Sequence, residues 1–239
     1  MKYKNYIFDL YGTLVDIHTE EDSELLWEKM TFLYGFYGAV YTPEELKTDF
    51  RELVAGKEAD THEAFPEIRI EEVFEALYAK KGVTADRELA VHTGQFFRIL
   101  SMEYVKCYDG AKELLKGLRD AGGKVYLLSN AQGIFTEYEL RLLGLTPYFD
   151  DIFISSEYGV KKPDPKFFEL LMQKHGLNPE ESIMIGNDMR CDIGGAKKVG
   201  LSTFYIHSNI SLELKSEPVV DYILMEMNLA KVKEMLLVG

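Results

Sequence analysis

The chain has 239 residues, a hydrophobic fraction of 46% and a formal net charge of −13 at pH 7. This apolar content is sufficient for a folded core, so the composition excludes a disordered or fibrous protein. So acidic a surface repels phosphate backbones and anionic lipid, which disfavours nucleic-acid and membrane partners. The two cysteines lack the spacing of a zinc or redox site, and the first residues do not resemble a secretory signal. We therefore expect a soluble, cytoplasmic protein. Both a monomer and a homodimer stay open.

Six apolar runs have the length of β-strands, and amphipathic stretches that end in glycine follow several of them. Most of the runs are continuously hydrophobic, which is typical of strands buried on both faces of a parallel sheet. The alternation of strand and helix predicts an α/β fold with a doubly wound parallel sheet. The predicted strands cover residues 6–10, 124–130, 151–155, 182–187, 202–207 and 221–225, and the predicted helices cover 111–122, 134–144, 165–176, 193–200 and 227–237.

Residues 15–103 break this alternation. Four stretches there have a helical period, the last extending to residue 105, and we expect no strong strand among them. The pattern predicts a helical bundle inserted into the α/β core. We therefore divide the chain into a core of residues 1–14 and 104–239 and an insert of residues 15–103.

Polar side chains follow four of the predicted strands. In an open parallel sheet, ligands bind beyond the carboxyl ends of the strands, so these are the positions where we expect a site. The residues are Asp9 after the first strand, Ser129 and Asn130 after the second, Lys161 and Lys162 after the third, and Asn187, Asp188 and Asp192 after the fourth.

This set of side chains suits phosphoryl transfer through a covalent intermediate. Asp9 can attack phosphorus as a nucleophile, and its carboxylate together with that of Asp188 offers the oxygens that Mg²⁺ prefers. Ser129 and Lys162 can hold phosphate oxygens and stabilise the charge that develops there. Thr13 can donate a hydrogen bond to the nucleophile or to the phosphate.

At these positions the sequence resembles the haloacid dehalogenase-like hydrolase superfamily. The four segments that carry the resemblance are FDLYGTLVD (8–16), LLSNA (127–131), KKPDP (161–165) and IGNDMRCDIGGAKKVG (185–200). The resemblance implies a Rossmann-like core, and it identifies the helical insert with the four-helix cap of subclass I.

The resemblance also implies a role for individual residues. The catalytic residues that it implies are the nucleophile Asp9 together with Tyr11, Thr13, Ser129, Asn130 and Lys162. Of these, Ser129, Asn130 and Lys162 are expected to contact the substrate phosphate. Its magnesium ligands are the Asp9 carboxylate, the Tyr11 main-chain carbonyl and the Asp188 carboxylate, with Asn187 and Asp192 as alternative or supporting contacts.

The sequence departs from the family's phosphatases at two positions. Those enzymes carry a second aspartate two residues after the nucleophile as a general acid and base, and here that residue is Tyr11. A phenol with a pKa near 10 is poorly matched to this task at neutral pH. Many relatives also have an acid at the position of Asn187, so either Asn187 or the following Asp188 is the residue that reaches the metal.

Tyr11 instead matches the 2-haloacid dehalogenases, in which the departing halide needs neither a proton nor a metal. The fourth segment, residues 185–200, favours a phosphatase, because acids close to Asp9 repel one another unless a cation lies among them. We therefore expect a Mg²⁺-dependent phosphatase that acts on a small phosphorylated metabolite through an aspartyl-phosphate. The alternatives are a metal-independent 2-haloacid dehalogenase with an ester intermediate on Asp9, and a catalytically weak phosphate-binding module.

Overall fold

A computed structural model of the protein describes residues 2–214 and 219–238. Its strands are β1 (Asn5–Phe8), β2 (Val15–Thr19), β3 (Met102–Cys107), β4 (Lys124–Ser129), β5 (Asp151–Ile154), β6 (Ser182–Gly186), β7 (Ser202–Ile206) and β8 (Tyr222–Leu224). Its helices are α1 (Glu24–Phe36), α2 (Pro43–Ala59), α3 (Ile70–Lys80), α4 (Arg87–Ser101), α5 (Ala111–Asp120), α6 (Gly133–Leu142), α7 (Pro165–His175), α8 (Gly195–Lys198) and α9 (Leu229–Val238).

Six of the strands form one parallel sheet in the order β5-β4-β1-β6-β7-β8. All six correspond to predicted strands, so the expected α/β fold is confirmed. The first strand lies in the middle, where Phe8 pairs with Leu127 of β4 on one side and with Ile185 of β6 on the other. The strand order therefore changes direction at β1, which places the residue after Phe8 at the usual ligand site of such a sheet.

Helices cover both faces of this sheet, which explains why its strands are continuously apolar. Tyr6 and Phe8 belong to a buried cluster that includes Leu114 of α5. Ile7, between them, points to the opposite face and belongs to a second cluster that includes Phe167 of α7. Because successive side chains of a strand alternate between faces, every residue of β1 is buried.

The inserted segment forms the four expected helices, α1 to α4, around a separate hydrophobic cluster that includes Trp27, Met30 and Phe74. The expectation of no strong strand in residues 15–103 is wrong at both ends of the segment. There β2 and β3 pair as an antiparallel ribbon, in which Val15 lies opposite Cys107. The ribbon depends on contacts between residues more than 80 positions apart, and no local pattern indicates such a pairing.

Within residues 2–214 and 219–238, no helix is both long enough and apolar enough to cross a lipid bilayer.

Candidate active site

Asp9 begins a tight loop at the carboxyl end of β1. The Leu10 carbonyl accepts hydrogen bonds from the N–H groups of Thr13, Leu14 and Val15, at 3.2, 2.9 and 2.9 Å. Gly12 has a φ of +86°, which favours glycine, and a Cβ atom there would lie 2.3 Å from the Asn187 side chain. The backbone of the loop is therefore fixed around the buried Asp9 side chain.

Lys162 lies at the centre of the site. Its Nζ atom is 2.7 Å from Asp9 Oδ1 and 2.8 Å from Asp192 Oδ1, and it donates to the Leu128 carbonyl at 2.7 Å. The side chain is only 1% exposed. Burial alone would lower the pKa of Lys162, but the adjacent Asp192 and Asp9 carboxylates outweigh this effect and raise it. The structure thus joins the predicted nucleophile to a charged ammonium group.

Asn130 holds the main chain of Lys162. Its Nδ2 atom donates to the Lys162 carbonyl at 2.9 Å, and its Oδ1 atom accepts from the Lys162 N–H at 2.8 Å. Since both ends of the amide are occupied by one residue, the geometry favours a positioning role for Asn130 over direct contact with a substrate.

Asp192 is the second carboxylate partner of Lys162. Its Oδ2 atom also accepts a hydrogen bond from the Asp188 N–H at 3.0 Å. Burial raises the pKa of Asp192, the Lys162 ammonium opposes this effect, and the nearby Asp9 charge adds to it. The sequence predicts that the acids of the fourth segment, residues 185–200, need a metal ion to offset their repulsion. This prediction is corrected for Asp192, because the cation beside it is Lys162.

Asp188 and Asn187 differ in how many of their side-chain atoms form hydrogen bonds. Asp188 Oδ1 accepts from the N–H groups of Arg190 and Cys191, at 2.8 and 2.7 Å, and these bonds do not involve its second oxygen. The buried Asn187 accepts from the Thr13 hydroxyl at 3.2 Å, and its Nδ2 atom donates to two serine hydroxyls. These contacts favour Asp188 over Asn187 as the residue that offers a charged oxygen to a cation.

The Ser129 hydroxyl has no hydrogen-bond partner among the residues that the structure describes, although it is buried. A buried hydroxyl without a partner costs about 1–3 kcal/mol, so such groups are rare in folded proteins. Ser129 ends β4, the strand beside β1, and the register places it at the same edge of the sheet as Asp9. This edge therefore has a hydroxyl available to an incoming ligand.

The Tyr11 side chain is directed into a buried ion pair. Its hydroxyl donates to Glu139 Oε2 at 2.5 Å and lies 3.1 Å from the Thr136 hydroxyl. Glu139 is in turn paired with Arg98, whose Nε atom is 2.7 Å from Glu139 Oε1. Burial and the Glu139 charge both raise the pKa of Tyr11, so the phenol is not suited to transfer protons at neutral pH.

A family model for haloacid dehalogenase-like hydrolases matches residues 3–200. The chain belongs to this family. It is 27% identical over 209 residues to the pyrimidine 5'-nucleotidase PynA of Streptococcus pneumoniae, covering 86% of this chain and 84% of the relative. It is 32% identical over 126 residues to a glyceraldehyde 3-phosphate phosphatase of Pyrococcus furiosus, and so spans about half of that enzyme, 52% of each chain.

Solved structures also share the fold of this hydrolase. A 2-haloacid dehalogenase from Pseudomonas syringae superimposes with a TM-score of 0.69 at 19% sequence identity, covering 98% of each chain. At this level of identity the likeness concerns the fold and carries no information about the substrate.

Sequence reasoning missed the contact of Tyr11 with Glu139 and Arg98 in this hydrolase. Arg98 belongs to an amphipathic helix of the insert, where an arginine is usually solvated, yet its side chain is only 15% exposed. Its partner lies 41 residues further along the chain, on α6. The only sequence signal was the tyrosine in place of the family's second aspartate.

The Gly186→Ala variant tests how closely the fourth segment packs. A Cβ atom at Gly186, the last residue of β6, would lie 2.2 Å from Asp192 Oδ2 and would displace this carboxylate. We expect the free energy of unfolding to fall by about 1–3 kcal/mol, as for other overpacked cores. Urea denaturation measures the change, and a stability equal to that of the wild type would contradict the packing described here.

Proposed function

We propose that this hydrolase is a Mg²⁺-dependent phosphatase that acts on a small phosphorylated metabolite through an aspartyl-phosphate on Asp9. The observation that carries the proposal is the Lys162 ammonium group, held 2.7 Å from Asp9 at the sheet edge where Ser129 has an unpartnered hydroxyl. Two relatives named as a nucleotidase and a phosphatase support the same class of reaction.

In the proposed reaction, an Asp9 oxygen attacks the substrate phosphorus while the Ser129 hydroxyl donates to a phosphate oxygen and the charge of the Lys162 ammonium stabilises the negative charge beside it. The bond from phosphorus to the leaving oxygen breaks, and its electron pair stays on that oxygen. Because the Tyr11 hydroxyl donates its hydrogen bond to Glu139, the leaving oxygen takes a proton from a water molecule, which becomes hydroxide. A second water then attacks phosphorus, the bond from phosphorus to the Asp9 oxygen breaks, and the proton that this water loses converts the hydroxide back to water. The step releases inorganic phosphate and restores the Asp9 carboxylate.

The oxygens at the sheet edge fit Mg²⁺. The described residues contain no cluster of three or more His, Cys, Asp or Glu side chains suited to a metal. Mg²⁺ does not require one, because it keeps several waters and takes one or two carboxylates together with substrate phosphate. The Asp9 and Asp188 carboxylates and the Tyr11 carbonyl would hold the ion.

The charges of the site also favour a divalent cation. The three carboxylates of Asp9, Asp188 and Asp192 against the single Lys162 ammonium leave a formal charge of −2. A phosphate dianion would be repelled by this charge. When bound, the ion would offset the repulsion between the Asp9 carboxylate and the phosphate.

We propose further that residues 15–103 act as a cap that excludes bulk water from the reaction. The loop between α2 and α3 lies against the loop that precedes Lys162. There the Lys161 N–H donates to the Phe65 carbonyl and the Glu67 N–H donates to the Gly159 carbonyl, both at 3.1 Å. The cap thus contacts the core within three residues of the proposed charge-neutralising lysine.

The ion pairs of the cap's arginines disfavour a 2-haloacid dehalogenase. The substrate of such an enzyme carries a carboxylate, which would need a cationic partner. Each of the four arginines within residues 15–103 forms an ion pair with an acid of this chain. Exposed pairs are weak, so the argument rests on Arg98, which is mostly buried. A substrate carboxylate would have to displace Glu139 from it.

A paired assay tests the proposed function. One arm uses p-nitrophenyl phosphate and the other 2-chloropropionate, each with EDTA and then with excess Mg²⁺. We expect phosphate release that EDTA abolishes and Mg²⁺ restores, and no halide release in either condition. Metal-independent halide release would instead establish the dehalogenase reaction. Phosphate binding without turnover in either arm would indicate a binding module.

The cytoplasmic location and the absence of nucleic-acid and membrane partners stay predictions from the sequence, and the choice between a monomer and a homodimer stays open.

A further inference from the structure

A buried contact connects the insert to the loop that carries Asp9. Arg98, on α4 of the insert, donates to Glu139 on α6 of the core through Nε at 2.7 Å and through Nη2 at 3.3 Å. The Glu139 side chain is 2% exposed, and its Oε2 atom also accepts from the Tyr11 hydroxyl. One carboxylate therefore joins a helix of the insert to a residue two positions after the nucleophile.

The surroundings of Tyr11 leave its ring little freedom. The Arg98 guanidinium carbon lies 5.9 Å from the centroid of the Tyr11 ring and 5.4 Å from that of Phe135. The Tyr11 main chain belongs to the tight turn in which the Leu10 carbonyl accepts three N–H groups. Because the ring and the backbone are both held, a displacement of the Tyr11 hydroxyl must be transmitted to the turn that orients Asp9.

We propose that Glu139 and Arg98 are positioning residues that act through the Tyr11 hydroxyl, so that docking of α4 on the core fixes the orientation of the Asp9 carboxylate. Tyr11, which stands where the family's phosphatases have a second aspartate, then orients the Asp9 carboxylate, and water carries out the proton transfer. This inference rests on the proposed phosphatase reaction, because turnover is one of its readouts.

The Tyr11→Phe variant tests the inference without disturbing the ion pair. It removes only the hydroxyl, and Glu139 keeps its two hydrogen bonds from Arg98, so the fold should survive. We expect kcat for p-nitrophenyl phosphate to fall about 10- to 100-fold, as for other small displacements of a reacting group, with little change in KM. Hydrogen exchange should become faster in the peptide that contains Thr13 and Leu14 while remaining unchanged in β7.

A double-variant cycle separates a shared pathway from independent effects. Because Tyr11 and Glu139 act through one hydrogen bond, Glu139→Ala, which removes the acceptor, should lower kcat, and adding Tyr11→Phe to it should have almost no further effect. Tyr138→Phe is the matched control, since it removes an exposed tyrosine hydroxyl from the same helix, and it should leave both readouts unchanged.

Two negative outcomes are distinguishable. If the wild-type enzyme does not hydrolyse the phosphate ester, the proposed function fails. If the wild type is active but Tyr11→Phe matches it in kcat and in hydrogen exchange, the positioning role is overturned while the function stands. Additive effects in the cycle would also overturn the proposed route through Tyr11.

Discussion

Replacing Asp9 with asparagine is expected to lower kcat for p-nitrophenyl phosphate in Mg²⁺ by at least about 10³-fold, since the variant lacks the proposed nucleophile. The amide nitrogen is a poor nucleophile, and the amide oxygen carries no charge to attack phosphorus. Steady-state phosphate release measures this loss. Acid quenching of the wild-type reaction with radiolabelled substrate should leave label on the peptide that contains Asp9, and the variant should retain none.

The fold of Asp9→Asn should survive, which makes the loss of activity interpretable. An asparagine oxygen can still accept from the Lys162 ammonium, and Asp192 continues to neutralise that charge at 2.8 Å. We expect the melting temperature to stay within a few degrees of the wild-type value. Asp109→Asn, at an exposed position, is the control and should leave turnover unchanged. Turnover within tenfold of wild type in natively folded Asp9→Asn would mean that another residue attacks phosphorus.

The sheet could be predicted from sequence because its strands carry their own signal. Each buried parallel strand is a short apolar run, and the alternation of Tyr6, Ile7 and Phe8 between two hydrophobic clusters shows why no polar residue interrupts β1. The β2–β3 ribbon has no such signal. Its strands are partly exposed, contain polar residues such as Asp16 and Lys106, and become strands only when residues far apart in the chain meet.

For the site, sequence predicted which residues lie at the sheet edge, and the structure determined how they are paired. The carboxyl ends of adjacent parallel strands must meet, so proximity of Asp9 to the residues after β4 and β6 followed from topology alone. That Lys162 lies between Asp9 and Asp192 depends on the direction of one long side chain in the interior. Likewise, the pairing of Glu139 with Arg98 requires the insert to be docked on the core, which strand and helix patterns do not describe.

Lys162→Met is expected to produce the largest loss of stability among the variants considered, about 3–5 kcal/mol in the free energy of unfolding. The lysine is paired with both Asp9 and Asp192, and all three side chains are buried. Methionine fills a similar volume without a charge, so the two carboxylates would remain close together in the interior with no cation between them. Urea denaturation in EDTA measures the loss without interference from a divalent ion.

A neighbouring lysine provides a matched control for this variant. Lys161 forms an ion pair with Glu58 at 2.9 Å, but both side chains are about one-third exposed, so Lys161→Met should cost no more than about 1 kcal/mol. Adding Asp192→Asn to Lys162→Met removes one of the two uncompensated charges and should recover part of the lost stability. If Lys162→Met were no more destabilising than Lys161→Met, the ammonium would not be shared between the two carboxylates in solution, and the charge balance assigned to the site would be incorrect.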